Sequence, residues 1–303
     1  MYVSLDEIRG VFPAMVTPVD RTGAVDETAV NALVEYFIAA GVNGLYVLGT
    51  TGESPLLTRA QKEAMVAAVL KAVDGRIPVM VHVGTLPVSE CLSFAQRVQE
   101  LGVRFLSAIP PYYFAFGEED LLCYYRALLD VVRPDCRLFA YNIPAFARNV
   151  IPPAVLQTLA QDERFAGVKD SAGDFALTQQ YLSVLPQDRK VFIGSDDLIN
   201  RALTAGVQGS ISGNANVLPE LFVALYQARQ SGDDAKTEML QGMVDRLAQA
   251  TCYGNLPLLK LGVRWRGVDA GEALMPFDHH IEEEKAQRLR CTLAELQEQL
   301  RTF

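Results

Sequence analysis

The sequence predicts a parallel (β/α)8 barrel with a C-terminal helical appendage. Short apolar runs alternate eight times with longer helical patterns, at intervals of roughly thirty residues or less within about 220 residues. Beyond them only helical patterns follow. Half of the 303 residues are hydrophobic, enough for one large core, and no stretch is rich enough in Gly, Ser or Pro to separate independent domains. Residues 1–218 therefore read as the barrel and 219–303 as a helical extension packed on it. A doubly wound open sheet is the competing arrangement and fits eight strand and helix pairs less well.

The elements follow in order. Val11 to Val16 reads as a strand, and Asp26 to Ala40 as a helix with Val25, Val30, Leu33, Val34 and Phe37 on one face. Gly44 to Leu48 is the second strand; a helix follows from about Thr58 to Val73, with Thr58 and Gln61 spaced as a capping box. Pro78 to Val83 precedes the helix Val88 to Leu101, and Phe105 to Ala108 precedes Glu119 to Val132. Leu138 to Tyr141 precedes Pro153 to Ala160, and Phe165 to Lys169 is the sixth strand. Val191 to Gly194 is the seventh, with a helix from Asp196 to Ala205, and Gly209 to Ser212 the eighth. The appendage reads as helices over Leu218 to Arg229, Asp234 to Ala250 and about Glu282 to Leu300.

Composition narrows the function. A net charge of -9 argues against nucleic acid or an anionic membrane as partner. No apolar run reaches membrane-spanning length, and Met1 to Glu7 lacks a basic segment followed by an apolar one, so the expected location is the cytoplasm. Five scattered cysteines without C-x-x-C spacing disfavour a disulfide framework or a zinc site. A metal-dependent lyase would draw on Glu53, Asp170, Asp174, Asp196 and Asp197, but none of His82, His279 and His280 is spaced to join them, and the acids read more simply as caps and solvated ends. No metal or other cofactor is expected.

Active sites of such barrels lie at the C-terminal ends of the strands. Of seven lysines, Lys169 alone ends an apolar strand. There it is either a side chain that snorkels to water or a desolvated amine of lowered pKa, hence a nucleophile. The neighbouring strand ends on Tyr141, close enough to converge with Lys169 on one small ligand. The second strand runs into Gly49-Thr50-Thr51-Gly52-Glu53, whose backbone N–H groups and hydroxyls suit a small carboxylate or phosphate, or simply make a tight turn with helix-capping threonines. Together these features suggest imine formation with the ketone of a 2-oxo acid, a phenol that moves protons, and a donor loop for the carboxylate.

Gly44 to Ser54 with Gln61 downstream, and Tyr141-Asn142-Ile143-Pro144 followed by Gly167-Val168-Lys169-Asp170-Ser171, resemble the two signatures of the dihydrodipicolinate synthase and N-acetylneuraminate lyase family. The resemblance runs from about Gly10 to Asn216. It implies a class I, Schiff-base mechanism on pyruvate and a homo-oligomer, usually a tetramer of tight dimers. By position, Lys169 resembles the imine-forming lysine, Tyr141 the proton-relay tyrosine, and Thr50 and Thr51, with Gly52, the carboxylate-binding loop. Tyr113 resembles the tyrosine that completes the relay across a tight dimer interface, aided by Thr51. Ile211 matches the residue packed near the imine.

Departures from the pattern bear on substrate. The synthase branch follows its Tyr-x-x-Pro motif with an arginine that grips the second substrate; this chain has Ala145-Phe146 there, a form that more closely resembles the lyases and 2-keto-3-deoxy sugar acid aldolases. Arg148, two residues on, either replaces that charge or faces solvent. Ser171, Asp196 and Ser212 stand where the lyase branch binds a polyol chain, with Phe146 lining an apolar part of the pocket; for Asp196 a helix cap is equally open, and Asp197 reads as a cap or dipole partner. The expected reaction is aldol cleavage of a 2-keto-3-deoxy sugar acid or related 4-hydroxy-2-oxo acid. Alternatives are 4-hydroxy-tetrahydrodipicolinate synthase, a dehydratase of a 2-keto-3-deoxy acid, and a non-catalytic 2-oxo acid binder.

Overall fold

The computed structural model describes residues 5–302, so of the Met1 to Glu7 segment, Met1 to Ser4 lie outside the described residues, as does Phe303. The strands are β1 (Gly10–Pro13), β2 (Leu45–Val47), β3 (Val79–His82), β4 (Phe105–Ala108), β5 (Arg137–Asn142), β6 (Phe165–Asp170), β7 (Lys190–Ile193) and β8 (Gly209–Ser212). Their hydrogen-bonded order is β1-β8-β7-β6-β5-β4-β3-β2, and the pairings from β3 through β8 are parallel. This order, with helices between the strands, is the (β/α)8 barrel class that the sequence predicts. The helices are α1 (Glu27–Ala39), α2 (Arg59–Val73), α3 (Val88–Glu100), α4 (Glu118–Val131), α5 (Pro144–Ala147), α6 (Pro153–Leu159), α7 (Phe175–Val184), α8 (Ile199–Thr204), α9 (Pro219–Ser231), α10 (Asp234–Ala250), α11 (Leu256–Trp265) and α12 (Glu283–Leu300). Among the described residues no helix is long and apolar enough to cross a membrane.

Three helices escape the sequence pattern. α5 is a four-residue turn. α7 buries a threonine and a tyrosine, Thr178 and Tyr181, so an apolar stripe does not announce it. α11 is apolar almost all round and carries a lysine in its middle. The segment expected as a helix from Asp196 begins instead with a 3-10 turn, Asp196–Leu198, before α8.

The chain parts into two compact units. The first holds Pro78–Ile211 with the segment ending at Gly10. Its β5–β6 register pairs Tyr141 with Lys169 and Asn142 with Asp170, after a shift between Leu138 and Phe139 that leaves Ala166 without a register partner. Side chains alternate between the faces of a strand, so this one extra residue decides which face receives Lys169. Beyond the pair, Asn142 Nδ2 donates to Asp170 Oδ1 at 2.9 Å, Asn142 Oδ1 accepts from Ile151 N at 3.0 Å, and Thr178 Oγ1 donates to Asp170 Oδ2 at 2.7 Å. Tyr181 closes the same network by donating to the Ile151 carbonyl at 2.6 Å. The polar residues of α7 thus bind it to the ends of β5 and β6.

The second unit holds Val11–Ile77 and the chain from Ser212 onward. Asp26 caps α1, which buries Ala29, Val30, Leu33, Val34 and Phe37. Thr58 and Gln61 form the expected capping box on α2. After β1, Met15 N donates to Tyr46 O at 2.9 Å, and Asn216 donates to Ala14 O at 2.7 Å while accepting from Val16 N at 3.0 Å. One buried amide thereby fixes the path of the chain after β1 to the turn after β8.

Gly167 has φ 140°, and a Cβ there would fall on the Lys190 carbonyl oxygen and lie 2.7 Å from its nitrogen. Gly167→Ala is therefore expected to cost about 2–4 kcal/mol by strain and backbone displacement. Thermal unfolding at the wild-type midpoint would contradict this account of the β6–β7 approach.

Candidate active site

Lys169 closes the run Phe165 to Val168 and is only 3% exposed. Its side chain does not snorkel to water. Nζ lies 4.0 Å from the centroid of the Tyr141 ring, a contact that favours the charged form, but burial acts in the opposite sense and dominates. Burial lowers the amine from 10.5 to about 7, and the negative charge of Asp196 limits the fall. A large share of the amine is then neutral near physiological pH, which is what nucleophilic attack on a carbonyl requires.

The surroundings of Lys169 are built within the first unit. Tyr141 is buried, and the His82 ring meets it edge-on at 5.9 Å between centroids. His82 Nε2 accepts from Ile109 N at 3.2 Å, which assigns the hydrogen of the neutral imidazole to Nδ1. Just after β7, Gly194 makes room: a Cβ there would stand 3.3 Å from Lys169 Cε and overlap the Ser171 hydroxyl. Ser171 is thus placed beside the lysine stem, with its own N–H donated to Asn142 O at 2.8 Å. Ile211 is buried near the end of β8. Asp196 begins the 3-10 turn after β7 with Ser195 in the capping position, and Asp197 follows, exposed.

Tyr113, Phe146 and Arg148 lie on the surface of the same unit. Tyr113 is 72% exposed at φ 81°, and Phe146 is 65% exposed on α5. Arg148 is exposed and ends α5 in the left-handed conformation. The residue that organises them, Asn149, is absent from the sequence reading. It is 5% exposed, accepts from Phe116 N at 2.9 Å, and its amide donates to the carbonyls of Pro111, Phe114 and Ala147 at 2.8, 2.9 and 3.1 Å. Its sequence neighbours, Arg148 and Val150, gave no signal of burial, because the four backbone groups it ties lie in other stretches of chain or two residues back.

In the second unit the loop after β2 is bracketed by two non-glycine residues of positive φ, Leu48 at 61° and Glu53 at 56°. Between them Thr50 is exposed, Thr51 half-buried and Gly52 buried. A Cβ on Gly52 would press on the Leu48 backbone and the Met15 carbonyl, each at 3.1 Å, so the close chain path there favours glycine. A Cβ on Gly213 would lie 2.8 Å from Thr51 Oγ1, so that glycine leaves the hydroxyl its space. Ser212 is buried, and its hydroxyl accepts from Asn214 N at 3.1 Å.

The acids weighed as metal ligands or solvated ends have other duties. Asp174 does cap α7. Glu53 and Asp170 are neither caps nor solvated: both are buried, Glu53 in an ion pair with Lys260 and Asp170 among the donors of Asn142, Thr178 and Ala172. Burial raises the Asp170 carboxyl above its ordinary range, and the donated hydrogen bonds oppose the rise.

Residues 7–296 match the model of the dihydrodipicolinate synthetase family. An N-acetylneuraminate lyase of Rhizobium meliloti is 29% identical over 289 residues, 95% of each chain. A 4-hydroxy-tetrahydrodipicolinate synthase of Ruegeria pomeroyi is 36% identical over 228 residues, 75% of this chain and 78% of that one. Among solved structures, a prophage protein of the dihydrodipicolinic acid synthase family from E. coli K12, in complex with pyruvate, superposes with a TM-score of 0.90 at 26% identity, covering 95% of this chain and 98% of that one.

The lowered proton affinity of Lys169 sets a stability signature. The folded chain binds this proton less readily than the unfolded one, so the site's contribution to stability improves as pH rises from about 7 towards 10.5 and is least favourable below 7. Lys169→Met is expected to raise the thermal midpoint at pH 6 by about 3 °C or more, with the gain shrinking as pH approaches 10. A gain independent of pH would show that desolvation of the ammonium is not its source.

Proposed function

The chain belongs to the dihydrodipicolinate synthetase family, and from that membership we propose that it is a class I aldolase of 2-oxo acids with Lys169 as its imine-forming residue. It is a lyase whose relatives include an N-acetylneuraminate lyase and a 4-hydroxy-tetrahydrodipicolinate synthase. The observation that carries the assignment of Lys169 is its buried amine, lowered to about 7 and set against the Tyr141 ring. Pyruvate as the keto component is supported by the related protein solved in complex with it.

In the proposed reaction the neutral Lys169 amine adds to the C2 ketone of a 4-hydroxy-2-oxo acid, and loss of water gives the protonated imine. Removal of the 4-hydroxyl proton sends the C3–C4 bonding pair into the iminium. An aldehyde leaves, and the enamine remains on Lys169. Protonation at C3 and hydrolysis release pyruvate and restore the amine. Tyr141 is the proposed proton carrier, helped by Thr51 and Tyr113. The carboxylate is assigned to the Thr50, Thr51 and Gly52 donors on the strength of the motif.

For the substrate we favour a 2-keto-3-deoxy sugar acid or a related 4-hydroxy-2-oxo acid, with Phe146, Ser171, Asp196, Ile211 and Ser212 around its chain. Supporting this is the pair Ala145-Phe146 where the synthase branch carries an arginine, with Arg148 exposed in a different backbone conformation. Synthase activity on aspartate semialdehyde is the second reading, favoured by the 36% identity to a relative of that name.

We also read the chain as a cytoplasmic homo-oligomer, a tetramer of tight dimers. Tyr113, Phe114 and Phe146, each more than 60% exposed, supply the apolar surface such an interface needs.

Incubation with pyruvate followed by borohydride is expected to leave one reduced adduct, mapped by peptide digestion to Lys169. An adduct confined to any other lysine, or none, would sink the assignment. Tyr141→Phe should keep the adduct while cutting turnover by about 10²–10⁴-fold. Mixed oligomers of two inactive variants, one at Tyr113 and one at Lys169, should regain activity if Tyr113 works in trans; without recovery that role fails.

A further inference from the structure

The second unit contains a buried cation that the chemistry above does not use. Lys260 lies in the middle of α11 and is 2% exposed. Its Nζ donates to Thr17 O at 2.9 Å, Glu53 Oε2 at 3.1 Å and Glu272 O at 2.8 Å, which occupies all three ammonium hydrogens. Glu53 is 1% exposed, and its other oxygen accepts from Leu274 N at 3.1 Å. Thr17 is fully buried, and its hydroxyl donates to Gly52 O at 2.6 Å. The two residues that follow Thr51 are therefore both held to one ammonium: Glu53 directly, Gly52 through Thr17.

A buried ion pair is a poor way to gain stability, because desolvation of both charges offsets most of their attraction, and an apolar pair of equal volume commonly does as well. Here burial weakens the proton affinity of Lys260 despite the nearby Glu53 carboxylate. What the pair supplies is geometry. Glu53 sits at φ 56°, a conformation that costs an L-residue about 1–2 kcal/mol and persists only where its surroundings impose it. The ammonium, the Leu274 N–H and the Thr17 hydroxyl are those surroundings, and they come from three separate stretches of chain.

We infer that Lys260 is a positioning residue of the 2-oxo acid site: through Glu53 and Thr17 it fixes the end of the donor loop and so the direction of the Thr50 and Thr51 hydroxyls. The inference rests on the reading of that loop as the carboxylate-binding element. It differs from a general stabilising role in one respect. Loss of the tether weakens binding of ketones that carry a carboxylate and leaves other ketones as they were.

The test compares the wild-type enzyme with two variants, Thr17→Val, which removes only the hydroxyl tether to Gly52, and Lys260→Met combined with Glu53→Gln, which removes the pair without stranding a charge. For each, thermal unfolding checks the fold, and borohydride trapping at Lys169 is titrated with pyruvate and with hydroxyacetone, a ketone that lacks the carboxylate. The expected result is a half-saturating pyruvate concentration raised about tenfold or more in the double variant and severalfold in Thr17→Val, with the saturated trapping rate and the hydroxyacetone curve nearly unchanged. Folded variants with the wild-type pyruvate curve overturn the inference, as does an equal loss for both ketones. If the double variant does not fold, Thr17→Val decides alone. A wild-type protein that traps neither ketone removes the Schiff-base reading itself, an outcome distinct from either of these.

Discussion

The structure around the candidate site depends on keeping one ammonium-forming group out of water. A lysine at a strand end ordinarily reaches solvent along its flexible stem. Lys169 cannot, because the register of β5 and β6 turns it inward beside Tyr141. That orientation follows from the extra residue Ala166 and from Gly167, whose unusual φ lets β6 approach β7 closely. Gly194 then leaves the volume into which the lysine stem and Ser171 fit. Backbone irregularity buries the amine, and burial lowers its proton affinity. The nearest charge effect, that of Asp196, works against it.

The buried polar residues divide their work. Asn142, Asp170 and Thr178 satisfy one another and tie α7 to the strand ends that present Tyr141 and Lys169. A partly satisfied network there would cost several kcal/mol, so these residues leave little room for an alternative register. Glu53 and Lys260 do the same for the loop after β2. In both places the polar group stands one or two residues beyond a candidate site residue: Asn142 and Asp170 follow Tyr141 and Lys169, and Glu53 follows Thr51.

Much of this was legible in the sequence. The strands of the class were readable as apolar runs, because strands buried on both faces need not alternate. Lys169 and Tyr141 stood out because each ends such a run, and Thr58 with Gln61 signalled its helix by the capping pattern. What escaped did so for physical reasons. α7 and α11 bury polar side chains against internal partners, Thr178 and Tyr181 in one and Lys260 in the other, so polar residues stand on the face where apolar ones would mark a buried helix. Glu53 read as a surface acid because its partner Lys260 lies 207 residues away in sequence, and Asp170 because Asn142, 28 residues away, meets it only through the pairing of two strands. No local pattern encodes a contact of that range. The bulge at Ala166 was invisible for the same reason, since register belongs to a pair of strands.

Asn149 gives the first unit a further property. Its one amide carries the carbonyls of Pro111, Phe114 and Ala147 and the N–H of Phe116, so the segment bearing Tyr113 hangs from the stretch just after α5. The segment's own fixings run to that side chain, while Lys169 and Tyr141 are held by strand pairing and by the Asn142 network. One side chain thus ties four backbone groups of these surface loops. A substitution at Asn149 would release all four ties at once, while the strand ends that carry Lys169 and Tyr141 would keep theirs.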